Sequence, residues 1–111
     1  MEFLPCLCRD AANRIQGVAF PKGEPDRNRM FMDLYCPYYE VKKGLFGSAR
    51  ITDIGISIFN RPSYRRDEAL VEEARERLIQ AVLSKEAPEV IAASGGIAEL
   101  RKQATAEEFY R

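Results

Sequence analysis

Few side chains in this sequence are equipped for chemistry, and the first observation is an absence. There is no histidine among the 111 residues, so the commonest general base and the commonest metal ligand are both missing. Nucleophile pairs of the Ser–His or Cys–His kind cannot form within one chain. The thiols are Cys6, Cys8 and Cys36. A C-x-C pair with one distant cysteine fits none of the usual zinc spacings, and each cysteine also suits a small core position. No metal and no cofactor are therefore expected. Cys8 beside Arg9 is the one hint of an activated thiol, since a neighbouring cation favours thiolate. A cysteine-dependent enzyme centred on Cys8 or Cys36 is accordingly the weakest of three functional readings. The carboxylate pairs Glu72/Glu73 and Glu107/Glu108 read as solvated helix surface rather than an acid/base couple. In "ASGGIAEL", Ser94, Gly95 and Gly96 precede a helix but lack the lysine and spacing of a phosphate loop, so they read as a break between two helices.

Two clusters suit binding better than catalysis. Arg61, Arg65 and Arg66 surround Tyr64, the combination that holds single-stranded nucleic acid through phosphate contacts and stacking. Asp67, Glu68, Glu72 and Glu73 follow at once and oppose that field within a Debye length. A nucleic-acid-binding module built on Arg61–Arg66 is thus the alternative reading. The second cluster is "MFMDLYCPYYEV", where period-two alternation sets Met30, Met32, Leu34 and Cys36 on one face and Phe31, Asp33, Tyr35, Tyr39 and Val41 on the other. With the first face in a core, Phe31, Tyr35 and Tyr39 form an apolar patch, each ring carrying roughly 150–250 Å². Asp33 and Glu40 stand where a nucleic-acid platform would want cations, which favours a protein interface. On this reading Tyr35 and Tyr39 contribute little to the isolated fold. The rival is an N-terminal helix that covers the tyrosine face and turns both sides into core.

The elements that must position these residues follow from periodicity. "LPCLCRDAANRIQG" spaces Leu4, Leu7, Cys8, Ala11, Ala12 and Ile15 at helical intervals, with a strand over "FLPCLC" as its rival. "GVAF" has the make-up of a short strand and "PKGEPDRN" that of a loop. Pro37 cannot donate to a ladder, so the strand through it lies at an edge, bulges or breaks. "KKGLFGS" supplies glycines for a reversal, and "ARITDIGISIF" points Ile54, Ile56 and Ile58 toward a core. "DEALVEEARERLIQAVLSK" then places Leu70, Val71, Ala74, Leu78, Ala81 and Val82 on one helical stripe, with Asp67 and Glu68 at its start and Lys85 at its end. A short helix starts at Pro88, and helical spacing resumes through Ile97, Leu100 and Ala104.

The expected fold class is α+β: a small antiparallel sheet made by a long hairpin over about 30–59, with a third strand near 17–20, packed against a helix over about 67–84 and further C-terminal helices. Ile54, Ile56 and Ile58 face the long helix, and Met30, Met32 and Leu34 join the same core. One domain over 1–111 accommodates all of this. Seventeen basic residues balance seventeen acidic ones, so the basic excess of a dedicated duplex binder is missing. An odd cysteine count, no signal peptide, no apolar run of spanning length and no glycine for myristoylation lead to the expectation of a cytoplasmic protein with reduced thiols and no membrane partner. The leading functional expectation is a small non-enzymatic protein that binds another protein, in the manner of an adaptor, an immunity or antitoxin partner, or an inhibitor of host machinery. A second copy of itself is also an eligible partner. The expected contact residues are Phe31, Asp33, Tyr35, Tyr38, Tyr39, Arg61, Tyr64, Arg65 and Arg66.

Overall fold

In the computed structural model, which describes residues 1–19, 33–60 and 65–110, the chain runs through β1 (Glu2–Phe3), β2 (Cys6–Arg9), β3 (Ile15–Val18), β4 (Leu34–Lys43), β5 (Ala49–Asn60), α1 (Glu68–Lys85), α2 (Pro88–Ala93), α3 (Ile97–Gln103) and β6 (Thr105–Tyr110). The class is mixed α+β, and the sheet has six strands, more than the small hairpin sheet expected. Its order is β3-β2-β4-β5-β6, with β1 pairing β4 beside β2. All these pairs are antiparallel except β5–β6, which is parallel. A parallel pair needs a long crossover connection. Here α1, α2 and α3 form that crossover, and their apolar residues Leu70, Val71, Ala74, Leu78, Ile79, Val82 and Leu100 lie in one cluster with Ile54, Ile56 and Ile58. The long helix therefore covers the isoleucine face, as its stripe indicates.

The hairpin of β4 and β5 matches expectation in place but not in phase. Tyr35 pairs with Ile58, Pro37 with Ile56 and Tyr39 with Ile54, so the tyrosines face the helices. Leu34 and Cys36 point to the opposite side, into a small second cluster with Cys6 and Cys8. The cause is a bulge between Glu40 and Val41. Nearer the tip Val41 pairs with Ile51, and continuing that register would set Tyr39 against Asp53. The extra residue, Thr52, shifts the pairing by one and aligns Tyr39 with Ile54. A one-residue slip exchanges the faces of a strand, and a bulge does this within one hairpin. It also lets Ile51, Ile54, Ile56 and Ile58 share one core.

The N-terminal helix is corrected to a hairpin of β2 and β3. Cys6, Leu7 and Cys8 are all buried, which is the continuous apolar run of a strand covered on both faces. Its turn is built by Asp10, whose Oδ1 accepts hydrogen bonds from the N–H groups of Ala12 and Arg14, and by Asn13 at φ 65°, where asparagine is tolerated. Gly17 sits inside β3 opposite Leu7. At the other end the helical spacing stops at Gln103, and the residues that follow form β6. β6 pairs with β5 from Gly55 to Asn60, so the demand of an otherwise unpaired edge outweighs helix propensity. Gly95 and Gly96, both at positive φ, end α2 and start α3 as their sequence suggests.

Candidate functional site

The residues expected to meet a partner divide into those that build the fold and those at its surface. Tyr35 and Tyr39 are 1% and 0% exposed, which corrects the expectation that they stand on a free face and matter little to the fold. Each hydroxyl is used at one end of α1. Tyr35 Oη accepts from the backbone N–H of Asp67 at 2.7 Å, and Tyr39 Oη donates to Glu86 Oε2 at 2.7 Å. Asp67 is the N-cap residue of α1 and Glu86 its C-cap. Burial first, and then the Glu86 carboxylate, holds the Tyr39 phenol far above its ordinary range. Asp67 is also gripped by Arg9, whose Nε donates to Oδ2 at 2.7 Å. That bond is the main reason its carboxyl titrates below the ordinary range, with the helix N–H groups of Leu70 and Ala69 adding to it.

This arrangement also settles the position of the thiols. Strand alternation places Arg9 on the face opposite Cys8, and Arg9 is occupied by Asp67 and the Asn13 carbonyl. Cys6 and Cys36 form a disulfide between neighbouring strands, correcting the expectation of three reduced thiols, and Cys8 is buried beside them. Among the described residues no group of histidine, cysteine and acidic side chains is placed to hold a metal ion. Of the basic cluster, Arg65 is exposed and Arg66 pairs with Glu68 at 2.9 Å. Phe31, Arg61 and Tyr64 lie outside the described residues, as do Met30 and Met32. Asp33 is half-buried just before β4.

Besides Asp33, Arg65 and Arg66, the expected contact residue that keeps some exposure is Tyr38, which is half-buried. It projects from the face of the sheet away from the helices and pairs with Gly55. The ring lies across β5 so closely that a Cβ at Gly55 would stand 2.8 Å from Tyr38 Oη and 3.1 Å from Cζ. A glycine inside a strand marks such close approach. On the other side is Phe3, half-exposed, with its ring centroid 6.4 Å away. Burial, and then the negative charges of Asp53 and Glu107, raise the Tyr38 phenol above its ordinary range. Asp53 stands directly opposite Glu40, a like-charged cross-strand pair that disfavours the isolated sheet. Lys42 approaches Glu40 at 3.7 Å but is well exposed, so it offsets the pair weakly. The surface is an aromatic platform rimmed by Glu40, Asp53 and Glu107.

Farther along the same hairpin stand two residues that sequence reasoning took for part of a plain reversal. Leu45 and Phe46 are each 99% exposed. The available signal was large apolar residues between two glycines, where turn corners ordinarily carry polar groups. Phe3 and Gly55 were missed as well. The glycine on the outward face between Ile54 and Ile56 was the clue to an aromatic neighbour. No family model, curated protein or solved structure matches this chain.

Proposed function

We propose that this protein is a small non-enzymatic binding protein whose partner is another protein, engaged through the sheet face around the half-buried Tyr38. The observation that supports this reading is the Tyr38 ring laid over Gly55 with Phe3 beside it and Glu40, Asp53 and Glu107 around it. Such a platform suits an extended segment rich in arginine or lysine. A guanidinium stacked on Tyr38 gains about 0.5–2 kcal/mol from the ring, depending on how far it is desolvated. The surrounding carboxylates add charge-assisted hydrogen bonds and relieve the Glu40–Asp53 repulsion. The tyrosines that first draw the eye in the sequence act one step removed, because Tyr35 and Tyr39 hold β4 against α1 and thereby present Tyr38.

An oligo-arginine peptide titrated into labelled protein, with oligo-glutamate as the control, tests the reading. Amide resonances of Tyr38, Asp53, Gly55 and Glu107 are expected to move with oligo-arginine alone, less so at high salt. Tyr38→Ala is expected to weaken the interaction by about 2 kcal/mol, as loss of an aromatic anchor does. Movement confined to other surfaces, or none at low salt, removes this site from consideration.

A further inference from the structure

The tip of the β4–β5 hairpin carries a second, independent observation. The turn is closed by Gly44 N–H donating to Ser48 O at 2.7 Å and Gly47 N–H donating to Gly44 O at 3.1 Å. Gly47 has φ +82°, a left-handed conformation that favours glycine and fixes a three-residue hairpin loop. Leu45 and Phe46 occupy the corners of this loop, and at 99% exposure neither leans on the rest of the molecule. Directly behind them Lys43 pairs with Ala49 and Lys42 with Arg50. No acidic residue lies between Val41 and Arg50. Alternation sends Lys42 and Arg50 to one face of the hairpin and Lys43 to the other.

An apolar point is thus followed, roughly 3–7 Å back along the strands, by cations on both sides of the stem. A cleft in a protein would meet such a stem mainly from one side. A planar layer of anions with an apolar slab beneath it meets the stem all round, at the depth of roughly 5–10 Å to which interfacial elements enter a bilayer. We propose that this tip is a reversible anchor for the surface of an anionic phospholipid bilayer. Leu45 and Phe46 enter the boundary between headgroups and acyl chains, while Lys42, Lys43 and Arg50 engage the lipid phosphates. The expectation of no membrane partner rested on the absence of a spanning segment and of a lipidation signal, and a two-residue tip is visible to neither criterion. Tyr38 lies about 20 Å back along β4, six residues from Gly44, so its platform stays in water when the tip is inserted. The anchor does not depend on that platform being used.

The chain contains no tryptophan, so Phe46→Trp supplies a single fluorescent reporter at the tip. With vesicles of equimolar phosphatidylcholine and phosphatidylserine, its emission is expected to shift to the blue, and the unmodified protein is expected to sediment with them. Phosphatidylcholine vesicles alone are expected to give neither effect. The paired change Leu45→Ser with Phe46→Ser is expected to lower partitioning by at least about tenfold. Changing Lys42, Lys43 and Arg50 together to Gln is expected to abolish the preference for anionic lipid. Both variants are expected to keep the unfolding transition of the parent, because Leu45 and Phe46 are 99% exposed and the cations removed are exposed, Lys42 making only a weak pair with Glu40. The proposal is overturned if the unmodified protein fails to bind the anionic vesicles, if binding survives the paired tip change, or if the Phe46→Trp variant sediments while its emission stays unshifted. A tip that leaves vesicles untouched yet is needed for capture of a purified protein partner belongs to a protein cleft, and that outcome overturns the proposal too.

Discussion

The two halves of the β4–β5 hairpin present similar side chains to opposite ends. In the half from Leu34 to Tyr39 the apolar and aromatic residues other than Tyr38 are locked. Tyr35 and Tyr39 are spent on the caps of α1, and Cys36 is bonded to Cys6 on the neighbouring strand. In the half from Lys42 to Arg50, Leu45 and Phe46 touch almost nothing. What separates the halves is neighbours rather than composition. The first is flanked by β2 and β5 and covered by α1, whereas among the described residues the second has mainly its strand partner. The boundary is the bulge after Glu40, next to which Ser94 Oγ accepts the N–H of Ile51 at 2.8 Å and donates to Val90 O. Aromatic residues in a short strand are thus poor evidence of a binding surface until the register is known.

Substitution at the two halves gives the largest contrast. Tyr39→Ala is expected to destabilise the protein by about 3–5 kcal/mol, the range for truncating a buried aromatic. It also leaves the Glu86 carboxylate without its donor. Denaturant unfolding of Tyr39→Ala beside Phe46→Ala, for which a change within about 0.5 kcal/mol is expected, reads the difference directly. Equal losses at the two positions would break the comparison.

The disulfide comes next. Cys6 and Cys36 are separated by 30 residues of sequence, and closing a loop of that size stabilises a fold by about 3–4 kcal/mol on the chain-entropy account. Cys36→Ser, or reduction of the parent, is therefore expected to lower the unfolding midpoint, and adding reductant to Cys36→Ser should change nothing further. Unfolding curves of the parent that coincide with and without reductant would show that the link adds no stability.

The smallest effect concerns Asp67, where Arg9, Tyr35 and α1 meet. Its carboxyl titrates below the ordinary range chiefly because of Arg9. A depressed folded-state value means that ionised Asp67 stabilises the fold above the unfolded-state value, and that this contribution fades as pH falls through the folded-state one. Asp67→Asn keeps a capping oxygen but loses the ion pair to Arg9, so it is expected to cost up to about 1 kcal/mol near neutrality, and its stability should decline less than the parent's as pH falls from about 5 through the folded-state value. Parallel declines would mean that the ion pair carries none of the acid sensitivity.

Much of this was legible in the chain. The alternation of Ile54, Ile56 and Ile58 determines β5, and a 3.6-residue stripe between a first-turn Glu68 and a last-turn Lys85 determines α1, because both patterns arise from the local geometry of the backbone. The two glycines between α2 and α3 are equally local. Three things were decided only by tertiary structure. One extra residue at Thr52 selects which face of β4 is core, and a bulge leaves no mark in composition. The segment 6–18 has helical spacing yet forms a hairpin docked on β4, and the chain after α3 turns into a strand on β5, because pairing partners far away in sequence satisfy these backbones. The candidate sites belong to the same class. Tyr38 becomes a platform because Gly55 is opposite it, and Leu45 with Phe46 become a tip because the fold leaves each 99% exposed, and both facts concern neighbours that a linear sequence does not specify.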